Sequence, residues 1–530
     1  MSWDGIKKAR NRLSREQGAI IKDWGGRLPV AIIYPNSYYI GMSSLGVHAV
    51  YSLLNSYSNV VCERAFWEKE DRGILSVESQ RPLGDFAVLA FSITYELDYL
   101  NVAPILKASG IPLYAADRDE RHPLVIAGGP CIMANPAPLS PFFDCMCIGE
   151  AEVMLPAMLP VMDGGGGRDD MLKALAALPG VYVPRVPSDA PVVRQWVHNL
   201  DDFPVGSVVL TPDTELGDLY LMEVERGCGW GCRFCLVSCA FRPMRFRSID
   251  SLIAQAGLTE RKRIGLVGPV VSAHPQIEEL LLGLRRMGKG LSISSMRINP
   301  LSRAVLRALA EGGSRTIALA PETGSERLRR VIKKGITEDD ILESVSKVAG
   351  EGIEQLKLYF MIGLPQETDD DINGMIALAI KCKGILDRSG CRLSLNIAPF
   401  IPKAGTPFQW LPMAPLPDLN RRLSLIKNNL PPRGIKVKAE SLAWSEVQAV
   451  LSRGDARLAD VLAKIEAVSL SGWRKAVKNL DVDYYAHQRW DTGKPLPWSV
   501  LDSGTEPEKL KLELELALSG AAISTGSEPS

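Results

Sequence analysis

Between residues 218 and 400 the chain returns six times to a short apolar run: "LYLMEVE", "RIGLVG", "LSISSMRI", "SRTIALAPE", "QLKLYFMIG" and "RLSLNIAPF". Stretches of helical period lie between them, such as "PLSRAVLRALAEGG" and "DDDINGMIALAIKCKGIL". Strands apolar on both faces and separated by helices pair in parallel, because the crossover helices cover both sides of the sheet. Six such units predict a partial (β/α)6 barrel, a fold that places its site at the C-terminal ends of the strands.

A second βα series precedes it. "PVAIIYP", "FAVLAFS" and "PLVIAGGP" read as buried strands, and "LGVHAVYSLLNSY" and "YLNVAPILKASG" as helices. "DCMCIG" and the helical "EAEVMLPAMLPVM" follow. This predicts an α/β, doubly wound (Rossmann-like) sheet whose ligands sit in the loops after the strands. "DGGGG" at 163–167 reads as a flexible break, and the Pro- and Val-rich 168–217 as a connector with a small β-hairpin from "VYVPRVP" and "PVVRQWV". Beyond 413 the pattern is helical, with an irregular aromatic stretch "YYAHQRWDTGKPLPWSVLD" and a tail, "GAAISTGSEPS", expected to be disordered. The expected division is 1–27 helical extension, 28–163 Rossmann-like domain, 164–217 linker, 218–412 partial barrel and 413–530 mostly helical region capping the substrate site.

Lys+Arg and Asp+Glu both total 61, so the chain has no global pull on nucleic acid or an anionic membrane. No secretory signal is evident. The longest apolar stretch, "FAVLAFSITYELDYLNVAPIL", is broken by Glu96 and Asp98, so no bilayer span is expected. A cytoplasmic location follows as the expectation. There, ten cysteines serve as thiols or metal ligands rather than as a disulfide framework.

Three of those cysteines stand together in "ERGCGWGCRFC", just past the first barrel strand. Cys228, Cys232 and Cys235 have the spacing C-x3-C-x2-C within a loop that also holds Gly227, Gly229 and Gly231. Three thiolates can hold three irons of a [4Fe-4S] cluster and leave the fourth iron open to a ligand. Glycines let the backbone wrap closely around the bulky group. The alternative is a zinc clip with Cys239 as fourth ligand. Such clips usually staple small knuckles, and a fourth thiolate would close the position that catalysis needs. Cys239 is therefore read as an ordinary thiol.

With Phe234 before the last cysteine, the triplet resembles the signature of radical S-adenosylmethionine (SAM) enzymes. The resemblance implies that the open iron chelates SAM, that an electron cleaves its C–S bond to a 5′-deoxyadenosyl radical, and that Phe234 packs near the adenine. It implies SAM contacts at the later strand ends. These are Gly268 and Pro269 in "GLVGP", Ser295 and Arg297 in "SSMRINP", Glu322 and Ser325 in "APETGSERLRRVIKKG", and Gly363 and Pro365 in "YFMIGLPQET". The family's Gly-Gly-Glu glutamate is missing from "GLVGP", so that contact is expected from the backbone.

The loops of the first series resemble the cobalamin-binding domain fused to many radical SAM enzymes (class B). The resemblance implies contacts from Tyr38, Tyr39 and Gly41, from Ser92, Thr94, Tyr95 and Glu96, from Gly128, Gly129 and Pro130, and from Gly149 and Glu150. No D-x-H-x-x-G motif follows the first strand. His48 lies in the next helix and reads as a core or surface histidine. The resemblance therefore implies a cobalt that is not His-ligated, with its lower face left to water or to a loop residue, Tyr95 being the candidate. The resemblance spans about 28–412. The stretches "FIPKAGTPFQW", "LSRGD" and "LPWSVLD" are similar to those of a poorly characterised branch, and no cysteine after Cys391 offers a second cluster.

The function implied is cobalamin-dependent methylation of an unactivated carbon, on a peptide, protein or small molecule. One SAM methylates the corrinoid and a second is cleaved at the cluster. Ferredoxin or flavodoxin would supply electrons under anaerobic conditions, and a monomer is expected. Three alternatives stay open: cyclisation or rearrangement without methyl transfer, RNA methylthiolation, and a non-catalytic metal module. The methylthiolation family carries an extra N-terminal cysteine triad, which Cys62, Cys131, Cys145 and Cys147 do not clearly reproduce. No catalytic acid or base is assigned.

Overall fold

The computed structural model describes residues 3–68, 73–217 and 219–519. After a helix at Trp3–Leu13, the strands β1 (Leu28–Tyr34), β2 (Val60–Phe66), β3 (Val88–Ser92), β4 (Leu124–Gly128), β5 (Cys145–Cys147) and β6 (Val181–Tyr182) form one sheet in the order β2-β1-β3-β4-β5-β6. The first five are parallel, and β6 runs antiparallel to β5. This is the doubly wound arrangement, with its topological switch point between β1 and β3. Both faces are buried, which is why β1, β3 and β4 read as unbroken apolar runs. β2 is equally buried but is not among the runs read from sequence, because Glu63 and Arg64 interrupt it, Arg64 being paired there with Glu16 and Glu78. Ala31, Ile33, Leu89, Phe91 and Val125 pack on one side with the helix Tyr99–Ala108. Val30, Ile32, Val88 and Ile126 pack on the other with the helices Leu45–Ser56 and Ala151–Asp163.

The expected hairpin in the connector does not form. β6 joins the first sheet, and β7 (Val192–Val193) pairs in parallel with a strand far along the chain, β17 (Leu501–Asp502). Pro184, Pro187 and Pro191 lie between β6 and β7, and a residue without an N–H cannot sustain the ladder of a hairpin.

The second series forms an open arc of parallel strands. β8 (Tyr220–Glu223) is followed by a short antiparallel pair, β9 (Glu225–Arg226) and β10 (Arg245–Phe246). β11 (Arg263–Val267) and β12 (Gly290–Ile293) complete a sheet of order β12-β11-β8. β13 (Thr316–Glu322), β14 (Gln355–Ile362), β15 (Arg392–Pro399) and β16 (Lys436–Ala439) make a second sheet in chain order. The partial barrel expected from sequence is present, with a seventh parallel strand, β16, inside the region read as helical. Its sequence is "KVKA", and its lysines are exposed. A short, charged edge strand resists further pairing, but it carries no apolar signal for a reader of the sequence.

Helices dominate after residue 413 and pack back on the first sheet's domain. Asn135 Nδ2 donates to the carbonyls of Ser452 (3.2 Å) and Gly454 (2.8 Å) at the end of the helix Leu442–Arg453. Buried Arg453 lies 4.0 Å above the ring of Trp490, which stacks on Trp498. The tail 520–530, expected to be disordered, lies outside the described residues. No helix among the described residues is long and apolar enough to cross a membrane.

Candidate active site

The cysteine loop leaves β9 through Gly227. Its φ is +81°, and a Cβ there would come within 2.4 Å of the carbonyl oxygens of both Phe241 and Pro243. Only glycine fits this close approach. The loop is then pinned by its own backbone. Ser238 Oγ donates to the carbonyls of Cys232 and Cys235, each at 3.0 Å, and Cys235 N–H donates to Cys232 at 3.1 Å. Arg233 turns away from the thiols. It donates to the Val331 carbonyl at 2.9 Å and pairs with Glu513 of the helix Pro507–Ser519 at 2.9 Å. Glu513 also pairs with Lys333 at 2.5 Å. Sequence reading missed Glu513, since no linear pattern links it to the cysteines.

Two cations stand beside the thiols. The Arg297 guanidinium stacks 3.3 Å from the centroid of Trp230, inside the loop, and its charge acts on Cys228 and Cys232. Lys334 acts on Cys232 and pairs with Glu322 at 2.8 Å. Burial pushes the Cys232 thiol up to about 12, with Lys334 pulling the other way, and burial also raises Cys228. Among the described residues no three His, Cys, Asp or Glu side chains converge as the ligands of one metal ion do.

The strand ends expected to meet SAM differ in how far their side chains are already engaged. Phe234 is half-buried against the core. Gly268 and Pro269 line a cavity between the two series. Ser295 Oγ is engaged, donating to the Gly268 carbonyl at 2.8 Å and accepting from Val271 N–H at 3.0 Å. Glu322 adopts φ +69° beyond a break in the β13–β14 register, a strained conformation of the kind found at functional sites. Ser325 caps the helix Glu326–Val331 and donates to Asp371, so its hydroxyl is used in the fold. Gly363 has φ +77° and its N–H donates to Glu367 at 2.6 Å, with half-buried Pro365 just beyond it.

The cavity, of about 560 Å³, lies between the two series. Its rim on the first sheet is Ser92, Thr94, Gly128, Gly129, Pro130 and Gly149. Gly129 has φ +111°, and a Cβ there would lie 2.5 Å from the Ile93 carbonyl. Toward its floor it narrows to an apolar slot among Val30, Ile32, Leu45, Ala49, Val50 and Leu155. Small residues on the helix Leu45–Ser56 are the sequence signal that could have exposed this slot. On the barrel side lie Gly227, Gly268, Pro269 and Glu225. The carboxyl of Glu225 is buried, with Oε1 accepting from Val270 N–H and Oε2 without a partner among the described residues. Burial raises it to about 7.

Several residues expected at the corrinoid stand elsewhere. Tyr38 is buried, donates to Glu16 and packs on Phe66, while Tyr39 is exposed at the surface. Gly41 makes room for the Phe66 ring, which a Cβ would meet at 2.4 Å. Tyr95 and Glu96 turn toward the C-terminal helices, Glu96 pairing with Lys403 at 2.5 Å. His48 is a core residue, as read. Its Nε2 pairs with the Met42 carbonyl at 3.1 Å, and burial holds it down at about 4. Glu150 touches the cavity but is mainly a brace. It accepts from Arg245 (2.7 and 3.1 Å), Arg226 (2.9 Å) and Val197 N–H (2.9 Å). Arg226, two residues before Cys228, also pairs with Glu152 at 2.5 Å and Glu223 at 2.8 Å. These bonds tie the cysteine loop to the first sheet. Burial pushes the Glu150 carboxyl up, but the bonds from Arg245 and the charge of Arg226 outweigh it and hold it below the usual carboxylate value.

Comparison with known proteins agrees with this layout. The profile described as "Radical SAM superfamily" matches residues 222–379, and "Radical SAM proteins, N-terminal" matches 46–184. An uncharacterized protein of Methanocaldococcus jannaschii is 33% identical over 446 residues, which is 82% of this chain and 90% of that one. The chain belongs to the radical SAM superfamily. An uncharacterized methyltransferase of Pyrococcus horikoshii is 27% identical over 48% of this radical SAM chain and 58% of its own length. A tRNA-2-methylthio-N(6)-dimethylallyladenosine synthase of Methylococcus capsulatus is 24% identical over 46% of this chain and 54% of its own. Among solved structures, the cobalamin-dependent S-adenosylmethionine radical enzyme OxsB with aqua-cobalamin bound superposes with a TM-score of 0.51 at 12% identity, covering 93% of this chain and 80% of that one. The fold is that of this two-part class, a doubly wound domain followed by a partial barrel and a helical C-terminal region.

Proposed function

We propose that this radical SAM enzyme is a cobalamin-dependent methyltransferase acting on an unactivated carbon. The reading rests on one observation. A single cavity has the strand-end loops of the doubly wound sheet on one wall and Gly227, Gly268 and Pro269, beside the cysteine loop, on the other. The residues fit the groups. Three thiols on a glycine-rich loop, flanked by Arg297 and Lys334, suit a cluster whose thiolates bring negative charge. An apolar slot beneath a glycine-lined polar rim suits a flat aromatic nucleotide tail with polar substituents at its mouth.

Cys228, Cys232 and Cys235 would hold the cluster, Phe234, Gly268, Pro269, Arg297 and Glu322 would border SAM, and Ser92, Thr94, Gly128, Gly129 and Pro130 would border the corrinoid. When bound, these groups supply radical generation and a transferable methyl group. The chain supplies position: Arg226 and Glu150 fix the loop against the sheet, and the Glu322–Lys334 pair holds a polar edge beside Cys232. Tyr95, turned toward Gln448, is withdrawn as a candidate for the lower face of the cobalt.

The relative that makes methylthiolated tRNA raises a second reading, RNA methylthiolation. The sheet order argues against a third-party cysteine triad. Cys62 on β2 is four strand spacings, about 19 Å, from Cys145 and Cys147 on β5, and Cys131 is packed into the core on the opposite side of the sheet from them. The test is anaerobic purification with iron, sulfide and hydroxocobalamin. We expect a corrinoid band together with a [4Fe-4S] shoulder, and 5′-deoxyadenosine plus S-adenosylhomocysteine on turnover. Iron without retained corrinoid, even after loading, would sink the proposal, and 5′-deoxyadenosine without S-adenosylhomocysteine would favour rearrangement.

A further inference from the structure

A second cavity, of about 780 Å³, opens between the loops after β1, β2 and β3 and the helix Leu442–Arg453. It lies at the switch point, where the chains leaving β1 and β3 diverge and doubly wound sheets commonly bind ligands. Its walls include the rings of Trp67, Tyr95 and Trp444 and the carboxyls of Asp98 and Glu440. Asp98 is only 2% exposed. Its Oδ1 accepts from Asn36 Nδ2 at 2.8 Å, and no cation among the described residues pairs with it. The neighbouring carboxylates differ in this respect: Glu96 is paired with Lys403 and Glu68 with Arg12. Two further polar atoms in the wall are buried without a partner among the described residues, Oδ1 of Asn101 and Nε1 of Trp67.

A buried carboxyl without a cation is costly, and the cost shows in its titration. Burial, with the charge of Glu96 adding to it against the Asn36 bond, raises Asp98 to about 7. Glu440 is raised by burial, with Lys403 opposing. Aromatic faces beside acceptor oxygens are the surroundings that stabilise an organic cation. We propose that this cavity binds a ligand through a protonated amine, seated between Asp98 and Glu440 and against the rings of Trp67, Tyr95 and Trp444. Asn101 Oδ1 would accept a further N–H. The site is distinct from the cavity beside the cysteine loop, and its occupancy does not depend on methyl transfer.

The test is calorimetric titration of the full-length protein with butylamine, tryptamine and spermidine, and with tryptophol as the neutral isostere of tryptamine. Saturable binding of at least one amine is expected, tryptamine binding at least about tenfold more tightly than tryptophol, with Asp98→Asn weakening the amine about tenfold. Glu440→Gln, at a position more accessible than that of Asp98, should weaken it less and serves if the Asp98 variant does not fold. No saturable amine, equal binding of tryptophol, or amine binding unchanged in both variants overturns the proposal. So does Asp98→Asn losing corrinoid while keeping the amine.

Discussion

Replacing Glu150 with Gln tests whether the "GE" after β5 is a brace or a cofactor contact. The carboxylate is 8% exposed and receives four donors from Arg226, Arg245 and Val197. Glutamine keeps the shape and one acceptor oxygen but turns an amide NH2 toward Arg245 and leaves that guanidinium buried without its counter-charge. Removing one partner of a buried pair costs about 3–5 kcal/mol. Arg226 retains Glu152 and Glu223, which places the expected loss near the lower end, about 3 kcal/mol. For a cooperative unit of roughly 150–250 residues this lowers Tm by about 6–12 °C. The assay is scanning calorimetry of wild type and variant from neutral to acid pH. Because the Glu150 carboxyl is held below its ordinary value, its contribution is present above the usual carboxylate range and is lost as pH falls through the folded pKa. The two Tm curves should therefore separate at neutral pH and converge in acid. An unchanged Tm would refute the brace, and corrinoid loss at unchanged Tm would restore the cofactor contact.

Cys228→Ala, Cys232→Ala and Cys235→Ala should each abolish SAM cleavage and deplete bound iron, whereas Cys239→Ala should retain both, as read by iron content and 5′-deoxyadenosine release. Gly129→Ala forces a Cβ against the Ile93 carbonyl at positive φ, a strain of about 1–3 kcal/mol, and should lower corrinoid retention on a desalting column. His48, buried and neutral with its pKa near 4, contributes stability that is full above about 6.5 and declines as pH falls toward 4, about 3 kcal/mol in all. His48→Gln should flatten that part of the pH dependence, measured as urea midpoints at neutral and mildly acid pH.

Most of the parallel strands were legible because burial on both faces writes a continuous apolar run, and the cysteine loop because its spacing is local; β2 was not, because its buried Glu63 and Arg64 break the run. β16 was not, since an edge strand of "KVKA" spends its side chains on solvent. The hairpin expected at "VYVPRVP" failed because β6 and β7 found partners far along the chain, which local pattern cannot reveal. The same limit explains Glu150 and Glu513: both were visible as charges, but Arg226 and Arg233 lie 76 and 280 residues away. Tyr38 and Tyr39 were misplaced because a loop after a strand has two sides, and only the fold decides which one meets the ligand.

The pairing of Arg233 with Glu513 also bears on how the protein matures. A chain is made from its N-terminus, and domains fold as they emerge. The cysteines therefore leave the ribosome long before the helix Pro507–Ser519 exists to hold their loop. During that interval the loop lacks its clamp from Glu513, so its full ordering waits for one of the last-made helices of the chain.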